Sequence, residues 1–322
     1  MKFSDIQATV SNDFEAVDAL IMEQLNSDVP LIGEVGSYIV SSGGKRLRPL
    51  VCLLSANAFN YKGADHITMG AIVEFLHTAT LLHDDVVDQS VMRRGKATVN
   101  TVWGNAHSVL VGDFLISRSF QMMVSVGNIA LMEILADATN TISEGEVLQL
   151  INIHDPDTTE ESYMKVIRYK TAKMFEVAAE AGAVVAEQDE EQVKAMGDYA
   201  RHMGAAFQLA DDILDYTGSA EEMGKNVGDD LAEGKPTMPL IYTINNGTAA
   251  QSATIRKAIK EGGLYNLEEI IEMVKSSGAI EYTHEYALNE ARLATDALSI
   301  VPESKYRDAL EGLAKLAVER TS

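Results

Sequence analysis

The sequence predicts an all-α protein, and three observations support that prediction. Only six prolines occur in 322 residues, which leaves long stretches free to form helix. Met, Ala, Leu and Glu are plentiful, whereas aromatic residues make up 6% of the chain, and such a composition favours helices over strands. Several long segments carry small or apolar side chains on most faces, which is typical of helices packed inside a bundle.

Four stretches have the pattern of long helices: residues 67–88, 108–126, 158–186 and 190–216. The third stretch begins just after Pro156, where Thr158 and Glu161 have the spacing of a capping box. Residues beyond 248 are amphipathic and helical in pattern, and we expect them to serve in packing and in support of a dimer. No Gly/Ser-rich or Pro-rich linker divides the chain, so residues 1–322 are predicted to form one domain.

The chain is strongly acidic, with a formal net charge of −22. Such an excess repels nucleic acid and anionic membrane surfaces, so neither is expected as a partner. A single cysteine, Cys52, excludes an intramolecular disulfide and fits a reducing compartment. The first residues include Asp and Glu where a secretion signal needs an apolar run, and no uninterrupted apolar stretch approaches the ~20 residues of a membrane span. We therefore expect a soluble, cytoplasmic protein without a transmembrane segment.

Two similar segments end in D-D-x-x-D, ATLLHDDVVD at 79–88 and AFQLADDILD at 206–215. In a helix the first and last aspartate share one face and the middle one lies beside them. Three carboxylates this close, within apolar surroundings, repel one another by several kcal/mol unless they are protonated or neutralised. A solvated acidic surface is the alternative, but two such motifs within apolar helices make it the weaker interpretation.

Oxygen ligands without His or Cys indicate Mg²⁺, an ion that keeps several waters and shares its shell with substrate phosphates. The similarity of the two segments suggests two helices that face each other across a shared space.

Basic residues alternate with these acidic motifs, in GGKRLRP at 43–49, RRGK at 93–96, KT at 170–171, GK at 224–225 and GK at 234–235. Lys, bidentate Arg and backbone amides near glycine are the groups that bind diphosphates. Each cluster alone is compatible with a solvated surface, whereas their alternation with compact acidic motifs favours a pocket for anions and metal. His77 lies two helical turns before Asp84, and its position favours a functional and a structural role equally. His83 is assigned a structural role.

In order and spacing, these motifs resemble the trans-type polyprenyl diphosphate synthase family. The resemblance rests on GGKRLRP, LLHDDVVD with MRRGKAT, KTAKMFE, FQLADDILDY and GKNVGDDLAEGKPTMPL, and it covers essentially the whole chain. It is closest to the bacterial octaprenyl diphosphate synthases, which make the ubiquinone side chain. The resemblance implies an isoprenoid-synthase-type bundle of long helices around a deep central cavity, a homodimer, and prenyl transfer.

The resemblance also implies roles for individual residues. Isopentenyl diphosphate would be bound by Lys45, Arg48, His77 and Arg94. Magnesium would be held by Asp84, Asp88 and Asp211, with Asp85, Asp212 and Asp215 in supporting positions. The allylic diphosphate would be bound by Arg93, Lys170, Thr171, Gln208, Lys225 and Lys235. Among these, the residues assigned to catalysis are Asp84, Asp85, Asp88, Asp211, Asp212, Lys170 and Lys235.

The implied reaction needs no protein nucleophile, because Mg²⁺ and the cations stabilise a departing diphosphate and leave an allylic carbocation. The isopentenyl double bond attacks that cation, a proton is lost to the released diphosphate, and a dry cavity excludes water. Small residues at Ala79 and Thr80, one turn before Asp84, leave a tunnel open for a long product. Phe120 and Met123, with Met122, are candidates for a deeper floor, and ordinary core packing is their alternative.

Two other functions share part of this pattern. A terpene cyclase also uses acidic Mg²⁺ motifs, but it takes one diphosphate substrate and would not need Lys45, Arg48 and His77 as a second anion site. A non-catalytic subunit of a heteromeric synthase should lack one acidic motif, and this chain has both. The sequence thus favours repeated addition of isopentenyl diphosphate to an allylic primer such as farnesyl diphosphate. The product would pass to membrane enzymes.

Overall fold

The structure is a computed structural model that describes residues 1–218, 228–262 and 266–319. Its regular structure in these residues is helical apart from one short antiparallel hairpin, in which β1 (Met92–Arg93) pairs with β2 (Lys96–Ala97). The prediction of an all-α protein is confirmed.

The helices up to residue 217 are, in chain order, α1 (Phe3–Ala8), α2 (Ser11–Gln24), α3 (Pro30–Val40), α4 (Leu47–Ala58), α5 (Asp65–Val87), α6 (Val99–Trp103), α7 (Asn105–Val126), α8 (Ile129–Asn152), α9 (Glu160–Val166), a π-helix (Ile167–Ala172), α10 (Lys173–Val185) and α11 (Glu190–Thr217). The later helices are α12 (Asp229–Ala232), α13 (Met238–Asn246), α14 (Ala249–Glu261), α15 (Leu267–Ser276), α16 (Ala279–Ala297), a 3₁₀ helix (Leu298–Ile300) and α17 (Lys305–Glu319).

Three of the four long helices lie where the sequence predicts them, as α5, α7 and α11. The third stretch differs, because a π-helix separates α9 from α10. Its start also differs: the N-cap is Thr159, whose side chain accepts a hydrogen bond from the backbone N–H of Ser162. Thr158 instead donates its hydroxyl to the carbonyl of Asp155 at 2.9 Å, so the predicted capping box with Glu161 does not form.

The chain divides into two compact units. The first unit comprises residues 1–137, 174–200 and 298–312. Within it, α4 and α7 pack along α5, and α2 packs on the same helix. Its core is formed by fully buried apolar side chains, among them Leu50, Leu53, Met69, Ile72 and Phe75.

The second unit comprises residues 138–173, 201–297 and 313–322, as far as they are described. One apolar cluster of this unit contains Tyr216, Leu231, Leu240, Ile255 and Ile270, each at most 1% exposed. This cluster lies at the end of α11 that carries the second acidic motif, so buried apolar contacts fix that end of the helix. The prediction of a single domain over residues 1–322 stays a prediction.

Helix α7 carries apolar side chains that are exposed among the described residues. Leu110 is 65% exposed, Phe120 46% and Val124 64%, although the pattern of this helix predicted burial inside a bundle. Among the described residues, α7 is also long and apolar enough to cross a membrane by length and composition alone. The buried side chains of this helix include Val111, Leu115, Met122 and Met123.

Candidate active site

The first acidic motif lies at the C-terminal end of α5. Asp84 and Asp85 are in the last turn, and Asp88 caps the helix by donating its backbone N–H to the carbonyl of Asp84 at 2.8 Å. The C-terminus of a helix carries partial negative charge, so carboxylates there are destabilised unless a cation neutralises them. Asp84 and Asp88 are half-buried, and this position suits them to a cation that remains within reach of solvent and substrate.

Asp85 is 1% exposed and is engaged within the first unit. Its Oδ1 accepts hydrogen bonds from Nε of Arg93 at 3.0 Å and from Nη2 at 2.8 Å. Burial raises the pKa of Asp85, and the Arg93 guanidinium opposes that rise. Asn100 donates to the backbone carbonyl of Asp85 at 3.0 Å. The middle aspartate of the motif therefore anchors the hairpin that carries Arg93.

The second acidic motif lies in the last two turns of α11, with Asp211 half-buried and Asp212 and Asp215 buried. Oδ1 of Asp212 accepts a hydrogen bond from Nε2 of Gln208 at 2.9 Å, and Oδ2 accepts one from the hydroxyl of Tyr163. The pKa of Asp212 is raised well above its ordinary value, chiefly by burial and then by the charge of Asp230.

Lys170 and Thr171 lie in the π-helix, an irregularity that occurs frequently at functional sites. Nζ of Lys170 donates to Glu146 Oε2 at 2.5 Å and to Gln149 Oε1 at 2.7 Å. Helix α8 approaches this segment closely at Gly145, where a Cβ atom would lie 2.8 Å from the backbone nitrogen of Lys170. A glycine there lets the two backbones meet and fixes the position of the lysine.

Lys235 forms an ion pair with Glu233, and its backbone N–H donates to the carbonyl of Asp230 at 2.8 Å. Gly234 has φ of +70°, and a Cβ atom there would collide with the ring of His154. The turn that presents Lys235 thus requires glycine. The remaining predicted cation, Lys225, lies outside the described residues.

Arg48 and His77 contact each other in the first unit, with Nη1 of Arg48 3.2 Å from Nε2 of His77. The guanidinium also lies over the ring of Phe175, 4.4 Å from its centroid. Burial lowers the pKa of Arg48 to about 10, so it stays charged at neutral pH. Burial, together with Arg48 and Arg94, holds the pKa of His77 well below its ordinary value. His77 is therefore neutral, with Nε2 accepting from the guanidinium and the proton assigned to Nδ1.

The glycine turn before α4 holds Arg94. Its guanidinium donates to the carbonyl of Gly43, and a Cβ atom on Gly44, whose φ is +135°, would collide with it. Lys45 is exposed, with Nζ 5.5 Å from the centroid of the Phe3 ring. The first unit thus brings together the turn of Gly43, the half-buried Arg48 and the hairpin residue Arg94, which lie far apart in the sequence.

Sequence reasoning missed two residues of these sites. Glu74 lies one turn before His77 on α5; burial raises its pKa, and the charges of Arg48, Arg46 and Arg94 oppose the rise. A carboxylate three residues before His77 in an apolar helix was the feature that could have identified it. Tyr163 had no local feature, because its partner Asp212 lies on another helix.

Within residues 1–218, 228–262 and 266–319, no three His, Cys, Asp or Glu side chains gather closely enough to hold a metal by themselves. Magnesium does not require such a cage, because it binds through one or two carboxylates, waters and substrate phosphates. Asp84 and Asp88 in the first unit, and separately Asp211 in the second, carry the hard oxygen donors that such an ion prefers.

The structure also has an open cavity of about 640 Å³ in the first unit, lined by Asp18, Met22, Glu34, Ser37, Tyr38, Val40, Ser41, Arg46 and Trp103. The residues predicted to bind substrate or metal do not line it.

Among the residues considered for product length, Ala79 is fully buried and Met123 is 3% exposed. Thr80 is half-buried and donates its hydroxyl to the carbonyl of His77 at 2.8 Å. Phe120 lies on the exposed face of α7, so within one chain it is less suited to a tunnel floor than Met123. Their effect on product length stays a prediction.

A family model described as polyprenyl synthetase matches residues 29–275. The chain belongs to the polyprenyl synthetase family. Octaprenyl diphosphate synthase of Escherichia coli is 52% identical over 321 residues, which are 99% of each chain. This membership makes the protein a prenyltransferase of isoprenoid biosynthesis, as the resemblance implied.

Solved structures of the family have the same all-α isoprenoid-synthase fold. The polyprenyl synthase from Caulobacter crescentus, complexed with calcium and isoprenyl diphosphate, has a TM-score of 0.96 and 41% identity, and the match covers 100% of this chain and 98% of that one. A decaprenyl diphosphate synthase from Rhodobacter capsulatus has a TM-score of 0.95 and 43% identity, with 100% of both chains covered.

Proposed function

We propose that this chain is a long-chain trans-polyprenyl diphosphate synthase that adds isopentenyl diphosphate repeatedly to an allylic diphosphate such as farnesyl diphosphate. The proposed product is octaprenyl diphosphate, the precursor of a quinone side chain. The observation that carries the proposal is the 52% identity with an octaprenyl synthase over 99% of both chains. The buried Ala79 supports a long product, because a small residue there leaves room for the growing chain.

We propose Mg²⁺ as the metal, held by Asp84, Asp88 and Asp211. Two observations support it: the position of the first motif at the negative end of α5, and the calcium in the Caulobacter crescentus relative, an ion that prefers the same oxygen ligands. When bound, Mg²⁺ supplies positive charge to the departing diphosphate.

We propose that the side chains of the two units divide the substrates. In the first unit Arg48, Arg94 and the exposed Lys45 bind isopentenyl diphosphate, and neutral His77 adds a hydrogen-bond donor rather than a further charge. In the second unit Lys170, Thr171, Gln208 and Lys235 bind the allylic diphosphate, and Arg93 and Lys225 are assigned to the same substrate. Lys170 and Lys235 exchange carboxylate partners, Glu146 and Glu233, for phosphate oxygens on binding.

We further propose that residues 1–322 act as one domain and that two copies form a homodimer in the cytoplasm. The exposed apolar face of α7, with Leu110, Phe120 and Val124, supports a dimer, since an apolar helix face of this kind is typical of an interface. The octaprenyl product would be passed to membrane enzymes.

The deciding experiment incubates the purified chain with farnesyl diphosphate, labelled isopentenyl diphosphate and Mg²⁺, and sizes the dephosphorylated products by mass spectrometry. A ladder that ends at octaprenol is expected. Cyclised hydrocarbon formed from farnesyl diphosphate alone would instead identify a terpene cyclase. A lack of turnover that another protein relieves would identify a non-catalytic subunit.

A further inference from the structure

A chain of hydrogen bonds links the π-helix to the second acidic motif within the second unit. Thr171 donates its hydroxyl to Oε1 of Gln208 at 3.2 Å, and Nε2 of the same glutamine donates to Oδ1 of Asp212 at 2.9 Å. The hydroxyl of Tyr163, on α9, donates to Oδ2 of Asp212. Tyr163 is 6% exposed and Asp212 2%, so water does not easily replace either partner.

We propose that Tyr163 is a positioning residue for the prenyl transfer reaction, acting through Asp212. This inference rests on the proposed function. With donors on both oxygens, the carboxylate of Asp212 is held within the protein, and this fixes the turn of α11 that carries Asp211, the proposed metal ligand. The same contacts tie α9 and Gln208 to the segment that carries Lys170 and Thr171, so metal ligand and diphosphate ligands keep one arrangement.

The burial of Asp212 explains why both donors are needed. Asp212 is 2% exposed, so its carboxyl oxygens depend on hydrogen bonds from the protein in place of water. Burial also raises the pKa of Tyr163 well above its ordinary value, so its hydroxyl keeps the proton and remains a donor. Without that hydroxyl, we infer that Asp212 turns away from α9 and disturbs the neighbouring Asp211.

The test compares Tyr163→Phe with a matched control, Tyr199→Phe. Tyr199 is also fully buried, and its hydroxyl donates to the backbone carbonyl of Leu310 at 2.7 Å in the first unit. Both variants remove one buried tyrosine hydroxyl, but only Tyr163 contacts an acidic motif. Mn²⁺ binding is measured by electron paramagnetic resonance with inorganic pyrophosphate present, and kcat and both KM values are measured with Mg²⁺.

Tyr163→Phe is expected to weaken Mn²⁺ binding and to lower kcat by about tenfold each, because a buried acceptor oxygen of Asp212 loses its hydrogen-bond donor. The KM for isopentenyl diphosphate should change less than about twofold, because its predicted ligands lie in the first unit. Tyr199→Phe should leave all three quantities unchanged. If Tyr163→Phe does not fold, Gln208→Met removes the other donor to Asp212 with a side chain of similar length. Its Mn²⁺ affinity is measured without pyrophosphate, because Gln208 is itself assigned to the allylic diphosphate, and weaker binding than in the wild type under the same conditions is expected.

Wild-type Mn²⁺ affinity in a folded Tyr163→Phe variant would overturn the inference, as would equal effects of Tyr163→Phe and Tyr199→Phe. A wild-type protein that binds no Mn²⁺ with pyrophosphate would overturn the proposed function and this inference together. The wild-type titration therefore separates the two failures.

Discussion

Single side chains around the first acidic motif owe their protonation to burial among arginines. His77 lies against Arg48, and Arg93 and Arg94 also act on it. A second proton on His77 would place another positive charge beside these groups without full hydration, so the ring stays neutral. Glu74 is the nearby carboxyl group that offsets part of the same positive charge.

His77 therefore predicts a pH dependence of stability. Its pKa is lowered on folding, so the unfolded chain takes up a proton first as the pH falls below about 6.5. The free energy of unfolding of the wild type should then fall, relative to His77→Gln, through the window from about pH 6.5 down to the folded pKa. Urea unfolding at about pH 8 and about pH 5 measures this difference. Equal slopes for His77→Gln and wild type would contradict the prediction.

The acidic motifs predict a loss of activity without a loss of fold. Asp84→Ala and Asp211→Ala each remove a proposed metal ligand, so elongation should fall at least about a hundredfold at saturating Mg²⁺. The melting temperature of the metal-free variants should hold or rise, because each substitution removes like-charge repulsion. Asp296→Ala, which removes an exposed carboxylate paired with Arg292 on α16, is the control and should retain activity. Near-normal turnover in either motif variant would exclude that residue as a ligand.

At the scale of elements, close backbone contacts position the substrate-binding segments. The π-helix meets α8 at Gly145, and the turn before Lys235 meets His154 at Gly234. Each contact is possible because a glycine has no Cβ atom. Helices α5 and α7 pack along each other in the first unit, and their buried side chains include Ala79 and Met123.

Gly145→Ala should displace the π-helix, because the new Cβ would meet the backbone nitrogen of Lys170 and Cβ of Tyr169, each at 2.8 Å. We expect a stability loss of about 1–3 kcal/mol and a KM for the allylic diphosphate raised about tenfold, with a smaller effect on isopentenyl diphosphate. Gly33→Ala, in α3, is the control. Its Cβ would lie 4.0 Å from the backbone oxygen of Leu25, an ordinary van der Waals distance. Because alanine favours a helix over glycine, the stability of this variant should hold or rise. Kinetic titration of both substrates and thermal unfolding check this; equal changes in both KM values would contradict it.

One substitution in α5 and one in α7 are predicted to change product length in opposite directions. Ala79→Tyr places a ring at a fully buried position. Overpacking of the core should lower the free energy of unfolding by about 1–3 kcal/mol. The ring should also stop elongation within one or two additions to farnesyl diphosphate. Met123→Ala opens a cavity, so products should grow beyond the natural length. Mass analysis of dephosphorylated products measures both. An unchanged distribution from a folded, active Ala79→Tyr enzyme would remove Ala79 from the tunnel wall.

At the scale of the whole molecule, the negative net charge and the exposed apolar face of α7 have opposite effects on the association of two chains. A net charge of −22 keeps chains apart in solution. The apolar side chains Leu110, Phe120 and Val124 favour association, because their burial removes apolar surface from water. A dimer through this face would cover the apolar face and leave the charged surface in solvent.

The proposed dimer predicts that Leu110→Glu yields monomers. Leu110 is 65% exposed, so the substitution should leave the folded chain intact while it places a charge in a buried apolar interface. Sedimentation velocity should then show half the wild-type mass. Leu288→Glu, at an apolar residue that is 46% exposed on α16, should remain dimeric. Unchanged mass for Leu110→Glu would exclude this face as the interface.

The sequence by itself determined the helices α5, α7 and α11, and with them that each acidic motif lies at the end of a long helix, because helical periodicity is local and relates residues three and four apart. It also determined the family, since each motif is a short run of residues. Only the tertiary structure decided that Arg93 pairs with Asp85, that Tyr163 donates to Asp212, and that Leu110 stays exposed. These facts depend on which elements pack together, and contacts between residues far apart in the chain follow no local period. The tertiary structure also revealed the π-helix and the close approach of α8 to it at Gly145.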